Sequence, residues 1–158
     1  MKNLSNISEL KLDNNHLTAS DLELIAWLDS HNPGWDETQT LCPSRIQLSS
    51  ATYSVLENGG QATITVIRIG DGDGAVSVEY ATSDDSATAP DDYTQTTDTL
   101  NWADGDTTDK AFSISIVDDS QQEDNETFIV SLDNPTGGIE LGEPDTAMVT
   151  IMDNDSTL

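Results

Sequence analysis

From Ile46 onward the chain alternates apolar and polar residues with a period of two, and Gly, Asp, Asn and Pro interrupt the alternation at short intervals. Such alternation is typical of strands that bury one face, as Phe112, Ile114 and Ile116 illustrate. We predict seven strands, at residues 46–56 with an interruption near Ser50, 61–69, 75–82, 93–102, 110–117, 127–132 and 146–152. The fold class predicted is all-β, a seven-stranded Greek-key sandwich of immunoglobulin-like build.

The N-terminal segment has a different period. Its spacing matches a leucine-rich repeat at Leu4, Ile7, Leu10, Leu12, Asn15 and Leu17. Ser20 and Glu23 form a capping box that predicts the start of a helix. We therefore predict two parts: residues 1–44, a small α/β leucine-rich-repeat remnant with its cap and linker, and residues 45–158, the sandwich. A short β-α appendage unrelated to such repeats is the alternative.

The composition limits the partners. Thirty Asp and Glu stand against five Lys and Arg, a formal net charge of −25. This balance disfavours nucleic acid and anionic membrane surfaces, which need a basic footprint, and favours hard cations with oxygen ligands. Solubility alone is the competing explanation of the charge. No stretch is long and apolar enough for a signal peptide or a membrane span, so we expect no membrane insertion, and Cys42 has no second cysteine to pair with.

The positions of the carboxylates say more than their number. If each connection reverses the chain, the loops after the first, third, fifth and seventh predicted strands meet at one pole. Those loops hold Glu57, Asp84, Asp85, Asp91, Asp92, Asp118, Asp119, Glu123, Asp124, Glu126, Asp153 and Asp155. Carboxylates so close repel one another, and a divalent cation relieves the repulsion. The Asp-Gly turns of the opposite pole, at residues 70–74 and 103–106, are interpreted as hairpin connections.

Several of these segments are together similar to a known signature. Residues 53–58, 82–84, 92–93, 117–119, 123–128 and 149–155 resemble the motifs of Calx-beta domains. The resemblance implies Ca²⁺ as the cofactor, bound by Glu57, Asp84, Asp118, Asp119, Glu123, Glu126, Asp153 and Asp155, with the backbone carbonyl near Gln121 as a further ligand. Ser120 stands where some members carry a third acidic residue after the Asp pair, and Asn154, the middle residue of the final trio, offers a neutral oxygen. Fewer charges at the family positions predict weak binding, at roughly 10⁻⁴ to 10⁻³ M.

No catalytic arrangement is predicted. His16 and His31 both lie in the N-terminal segment, and neither can be placed beside a nucleophile and an orienting group. The function predicted is a non-enzymatic calcium-binding module of a larger, extracellular multidomain protein. Ca²⁺ would stiffen the domain and its junctions for adhesion, and the parent chain would contact protein or cell-surface ligands. The alternatives are a metal-independent spacer beside a leucine-rich-repeat array and a calcium-controlled part of a transporter.

Overall fold

The computed structural model describes residues 44–155, which form nine strands and one short 3₁₀ turn. The predicted leucine-rich repeat lies outside the described residues. The strands are β1 (Arg45–Leu48), β2 (Thr52–Leu56), β3 (Gln61–Ile69), β4 (Val76–Asp84), β5 (Thr97–Trp102), β6 (Lys110–Ser115), β7 (Glu126–Thr136), β8 (Glu140–Leu141) and β9 (Thr146–Met152), and the 3₁₀ turn is Glu57–Gly59. No helix in this range is long and apolar enough to cross a membrane.

The strands form two sheets packed face to face. One has the order β6-β3-β1-β8 and the other the order β2-β9-β7-β4-β5. Most neighbours are antiparallel, but β1 runs parallel to β8 and β2 runs parallel to β9. The predicted all-β sandwich is therefore confirmed, whereas the predicted count of seven strands is wrong for residues 44–155.

One of the two extra strands is the two-residue β8, and the other arises because the first predicted strand divides between the sheets. Ile46 and Leu48 point into the core from β1, and Tyr53 and Val55 pack on it from β2, so the inward positions change from even to odd numbers. At the break, the Ser50 hydroxyl donates to the carbonyl oxygen of Thr52 and accepts from its N–H. This local turn replaces ladder hydrogen bonds and lets the chain cross to the second sheet.

Two predicted hairpins are corrected. The connections β3–β4 and β5–β6 both cross from one sheet to the other, because their flanking strands belong to different sheets. Arg68 joins these two connections: its guanidinium donates to the carbonyl oxygens of Asp73, Gly74, Ala103 and Asp106 at 2.9–3.4 Å, and the residue is only 4% exposed. A buried charge is tolerated where hydrogen bonds replace its lost water.

The core lies between the sheets and includes aromatic contacts. Tyr80 stacks on Phe112 across the two sheets with ring centroids 3.6 Å apart, and Tyr93 stacks on Phe128 at 4.2 Å. Trp102, at the far end of the core, donates its indole N–H to the carbonyl oxygen of Thr108. Offset aromatic pairs add to the area they bury and restrict the relative position of the elements that bear them.

Candidate metal centre

The ends of β2 and β9 place three carboxylates together. Because these strands run parallel, with Leu56 opposite Met152, the residues that follow them emerge side by side. Glu57 begins the 3₁₀ turn after β2, and Asp153 and Asp155 follow β9. One carboxylate oxygen from each of these three lies within 4.8 Å of the others. We call Glu57, Asp153 and Asp155 the first group.

The first group has the properties of a cation site. Glu57 is only 7% exposed, and Asp155 has a buried Oδ2 without a hydrogen-bond partner. A buried carboxylate oxygen with no donor loses its hydration without replacement, unless a cation or an ordered water lies against it. The carboxylates therefore fit a hard cation with oxygen ligands.

A second group forms where β7 begins. Asp92, Glu123 and Glu126 also offer oxygens that lie within 4.8 Å of one another. Glu126 is the first residue of β7, Glu123 lies in the β6–β7 loop, and Asp92 belongs to the β4–β5 loop. Strand pairing explains the meeting, because β4 runs antiparallel to β7, so that the end of β4 lies beside the start of β7.

A hydrogen bond and a shared cleft connect the two groups, and a second hydrogen bond attaches the first group to the β6–β7 loop. The backbone N–H of Asp119 donates to Oε1 of Glu57 at 3.2 Å, and that of Glu123 donates to Oδ2 of Asp153 at 3.2 Å. A cleft is lined by members of both groups, Glu57, Asp92, Glu123, Glu126 and Asp153, together with Val117, Asp124 and Ile151. We call this end of the sandwich the acidic pole.

The electrostatics of the acidic pole favour binding a cation. Burial, followed by the charges of Asp92, Glu123 and Glu57 and a hydrogen bond with Asp92, raises the pKa of Glu126 to about 7. Burial also raises the pKa of Glu57, and the N–H of Asp119 opposes this shift. The pKa values of Glu123 and Asp155 are likewise raised, first by burial and then by neighbouring carboxylates. In each case the ionised form lacks a counter-charge.

Basic side chains are absent from the acidic pole within residues 44–155. Arg45 begins β1 opposite Ile69, Arg68 holds the β3–β4 and β5–β6 connections, and Lys110 lies 3.0 Å from Asp106. All three therefore lie at the opposite pole. The carboxylates of the acidic pole have no positive partner from this part of the chain.

The remaining predicted ligands occupy different surroundings. Asp118 lies close enough to Asp155 to raise its pKa, and Asp119 also acts on Glu57, Glu123 and Asp155. Both oxygens of Asp119 accept hydrogen bonds from Gln121, from its backbone N–H at 2.6 Å and its side-chain amide at 2.9 Å, and these bonds lower the pKa of Asp119. Gln121 lines a second cleft with Asp92, Asp119, Glu123 and Glu126.

Asp84 belongs to neither group. Its Oδ1 accepts from the hydroxyl of Tyr93 at 2.6 Å and from the N–H of Ala89 at 3.0 Å. These two bonds lower the pKa of Asp84. Burial and the bond to Asp84 raise the pKa of Tyr93 to about 12, so its hydroxyl stays a donor at neutral pH.

Asp92 is the group member that the predicted ligand set lacks. The sequence places it in the correct loop, between β4 and β5 and beside Tyr93. Four carboxylates occupy that loop, and their spacing does not show which of them faces β7. The Asp92-Tyr93 pair was the available signal, because a buried tyrosine fixes the residue before it.

A two-sheet sandwich with carboxylates gathered at one pole defines a class of domain, and comparison with known proteins identifies it. The family model described as "Calx-beta domain" matches residues 42–155. The chain belongs to this family, and the resemblance recognised in the sequence is confirmed.

Individual relatives agree with the family. The chain is 34% identical over 120 residues to the sodium/calcium exchanger Calx of Drosophila melanogaster and 35% identical over 130 residues to sodium/calcium exchanger 1 of Bos taurus. These matches cover 76% and 71% of this chain but 12% and 13% of the relatives, so the chain spans about an eighth of their length.

Solved structures match the same region. The crystal structure of the apo form of the Calx CBD1 domain has a TM-score of 0.68 at 35% identity and covers 71% of this chain and 98% of that one. The calcium-binding domain CBD12 of CALX1.1 has a TM-score of 0.67, also at 35% identity, and covers 70% of this chain and 45% of that one.

Proposed function

We propose that this domain is a non-catalytic module that binds Ca²⁺ at the acidic pole. The observation that supports it best is the first group, in which a 93%-buried Glu57 meets Asp153 and an unpartnered buried oxygen of Asp155. A relative of the same fold at 35% identity is itself described as a calcium-binding domain, which supports the choice of ion.

The donor set favours Ca²⁺ over other ions. Both groups offer carboxylate oxygens, and members of both line one cleft. Ca²⁺ accepts six to eight oxygens in variable geometry, whereas Mg²⁺ requires a small, near-octahedral shell. His and Cys ligands, which zinc prefers, do not occur within residues 44–155.

The proposal assigns ligands as follows. The two groups would form the centre, and Asp118, Asp119 and the backbone carbonyl of Gln121 would supply further oxygens from the β6–β7 loop. The central ligands are Glu57, Asp92, Glu123, Glu126, Asp153 and Asp155. Asp84, predicted as a ligand, is left out of this set because its Oδ1 accepts from Tyr93 and Ala89.

Binding would join loops that are distant in sequence. An ion bound to the first group links the ends of β2 and β9, and an ion bound to the second group links the β4–β5 and β6–β7 loops. A ligand that binds only the folded state stabilises it by about 2.7 kcal/mol when its concentration is one hundred times its dissociation constant. We expect calcium to raise the melting temperature and chelation to lower it.

Calorimetric titration tests the proposal. Ca²⁺ titrated into the chelator-treated 158-residue chain is expected to give saturable heat, with a much weaker response to Mg²⁺. The double substitution Glu57→Gln/Asp153→Asn should abolish binding at the first group, and Asp118→Ala/Asp119→Ala should weaken binding because it removes two neighbouring carboxylates.

A matched control separates a specific site from general charge. Glu79→Gln/Asp98→Asn removes the same two charges from exposed positions on β4 and β5, away from the acidic pole, and should bind Ca²⁺ as the unmodified chain does. No saturable heat from the unmodified chain up to about 10 mM Ca²⁺, beyond the weak end of known modules, would contradict the proposal. The domain would then be better described as a metal-independent spacer.

The relatives favour one second candidate at the level of a larger protein, namely a calcium-responsive part of an ion exchanger. Exchange of this domain for the corresponding part of Calx, followed by measurement of the calcium dependence of transport, would test it. These relatives give no support to the predicted extracellular, adhesive role.

A further inference from the structure

Residues 84–93, the last residue of β4 and most of the β4–β5 loop, are held by a contact between the two ends of this segment. Asp84 lies at the end of β4, and its Oδ1 accepts from the hydroxyl of Tyr93 at 2.6 Å and from the N–H of Ala89 at 3.0 Å. An O–H···O bond to a carboxylate at this distance is short and strong. Asp84 thus uses one oxygen to close its own loop.

Tyr93 is itself immobilised by the core. The residue is 0% exposed, its ring stacks on Phe128 of β7 with centroids 4.2 Å apart and an interplanar angle of 10°, and its backbone forms an isolated bridge with Ile116. The Tyr93 ring is therefore fixed by a neighbouring strand, and its hydroxyl is fixed by Asp84.

Asp92, the residue before Tyr93, is held at several points. Its N–H donates to the carbonyl oxygen of Thr88 at 3.0 Å, and its carbonyl oxygen accepts from the N–H of Val117 at 2.9 Å. Its Oδ2 accepts from the N–H of Thr88 at 2.6 Å and from the Thr88 hydroxyl at 3.3 Å. These bonds set the position from which Asp92 meets Glu123 and Glu126.

The loop is also attached to β7 directly. The hydroxyl of Thr127 donates to Oδ2 of Asp85 at 2.6 Å, and the N–H of Ala87 donates to the carbonyl oxygen of Thr127 at 2.8 Å. Thr127 follows Glu126 of the second group. Asp84 and Asp85 therefore both serve loop structure, while Asp92 reaches the second group.

We propose that Asp84 and Tyr93 are positioning residues that hold Asp92 in the second group, and that Asp84 is not itself a ligand. The inference rests on the proposed calcium binding. Its physical basis is that a ligand held by a second layer of hydrogen bonds is kept in binding geometry before the ion arrives, and loss of such a partner typically lowers metal affinity 10–100-fold.

Substitutions at Asp84 distinguish positioning from ligation. Asn at position 84 keeps an oxygen that can accept from Tyr93 and Ala89 but loses the charge that a calcium ligand supplies. We expect Asp84→Asn to bind Ca²⁺ within about three-fold of the unmodified chain, and Asp84→Ala to bind about ten-fold more weakly. The number of ions bound should not change in either variant.

Tyr93→Phe removes the hydroxyl and keeps the ring. We expect a loss of affinity of about ten-fold, and the double variant Asp84→Ala/Tyr93→Phe should lose no more than Asp84→Ala alone, because that variant already removes the bond to Tyr93. Tyr53→Phe is the matched control, since the Tyr53 hydroxyl bonds only to Ser49 and the Thr65 carbonyl oxygen within the described residues. It should bind as the unmodified chain does.

Calorimetric titration of the full chain provides the measurement, at a temperature well below the melting point that each variant shows in chelator. Rescue by Asn and non-additivity are results that a loss of overall stability would not produce. If Asp84→Asn binds as weakly as Asp84→Ala, Asp84 acts through its charge and the inference is overturned. Unchanged affinity in Tyr93→Phe also overturns it. Absence of calcium binding by the unmodified chain would reject the proposed function, and the inference that rests on it.

Discussion

Glu57 is a carboxylate in a buried position, and buried positions usually hold apolar residues. It is 7% exposed, it begins a 3₁₀ turn whose flanking Gly60 has the positive φ of 76° that favours glycine, and it accepts the N–H of Asp119. Burial disfavours its ionised form, and the carboxylates of Asp153 and Asp155 add to the effect. Without a cation, Glu57 is therefore an unfavourable residue for folding.

The first prediction follows from this conflict. Glu57→Gln keeps an oxygen that can accept from Asp119 and removes the buried charge, so we expect the metal-free melting temperature to stay the same or rise by a few degrees. The same substitution should lower calcium affinity at least about ten-fold because a ligand charge is lost. Thermal unfolding in chelator and calorimetry measure the two effects.

A fall in metal-free stability together with unchanged calcium affinity would contradict this expectation and make Glu57 a structural residue. Glu79→Gln, at an exposed position on β4, serves as the control for removal of one charge.

Much of the site was predictable residue by residue, with a clear limit. Glu57, Glu123, Glu126, Asp153 and Asp155 follow or precede strands whose alternation is evident, so counting strand reversals was enough to place them at one pole. The choice between Asp84 and Asp92 was not predictable from spacing, because it depends on Tyr93 reaching back across its own loop. That contact is a property of side-chain packing.

At the scale of the strands, the break in the first predicted strand could be predicted from the sequence. The sheet that each half of it joins could not. The sequence shows the interruption near Ser50 and the change of inward positions from even to odd. Which sheet each half joins depends on distant partners, because β1 pairs with β3 and β8 while β2 pairs with β9. Two-residue β8 has no recognisable alternation at all. The parallel β2–β9 pairing then brings Glu57 beside Asp153.

The second prediction concerns the connections held by Arg68. Arg68→Met should lower the free energy of unfolding by about 3 kcal/mol or more, because carbonyl oxygens buried around the guanidinium lose their donors. Lys110→Met is the control: it removes a partly exposed ion pair with Asp106 at the same pole and should cost about 1 kcal/mol or less. Urea unfolding measures both.

Calcium affinity should stay within about three-fold of the unmodified value in Arg68→Met, since the two poles share no ligand. An equal loss of stability in the two variants would show that the carbonyl oxygens around Arg68 find water instead.

At the scale of the described sandwich, residues 44–155, the basic side chains lie apart from the acidic pole. Arg45, Arg68 and Lys110 lie at one pole, and the carboxylates with raised pKa values lie at the other. Such an arrangement makes folding of the metal-free chain dependent on pH, and the sign follows from the direction of each pKa shift.

The third prediction is a loss of metal-free stability as pH rises from about 4.5 to about 7. Folding raises the pKa of Glu126 from an ordinary 4.5 to about 7, so the folded state holds the proton more tightly and stability declines across this window. Asp84 and Asp119 have lowered pKa values, so the stability they contribute is lost only on acidification below the ordinary aspartate pKa of 3.8. Urea unfolding in chelator from pH 4 to 8 measures this.

Glu126→Gln should flatten the decline, and saturating Ca²⁺ should remove it because the ion binds the ionised carboxylates. A metal-free stability that rises steadily to pH 8 would show that Glu126 is not perturbed as described.

Because of Arg68, the two ends of the domain differ in where their positive charge comes from. At one end the cation is a buried guanidinium that belongs to the chain itself and holds two connections together. At the acidic pole the cations would be calcium ions bound from solution. The chain enters the sandwich at the first end, with β1, and leaves it at the second, after β9. With calcium bound as proposed, a change in calcium concentration would alter the structure around the end of β9. The start of β1, at the opposite pole, would not depend on calcium.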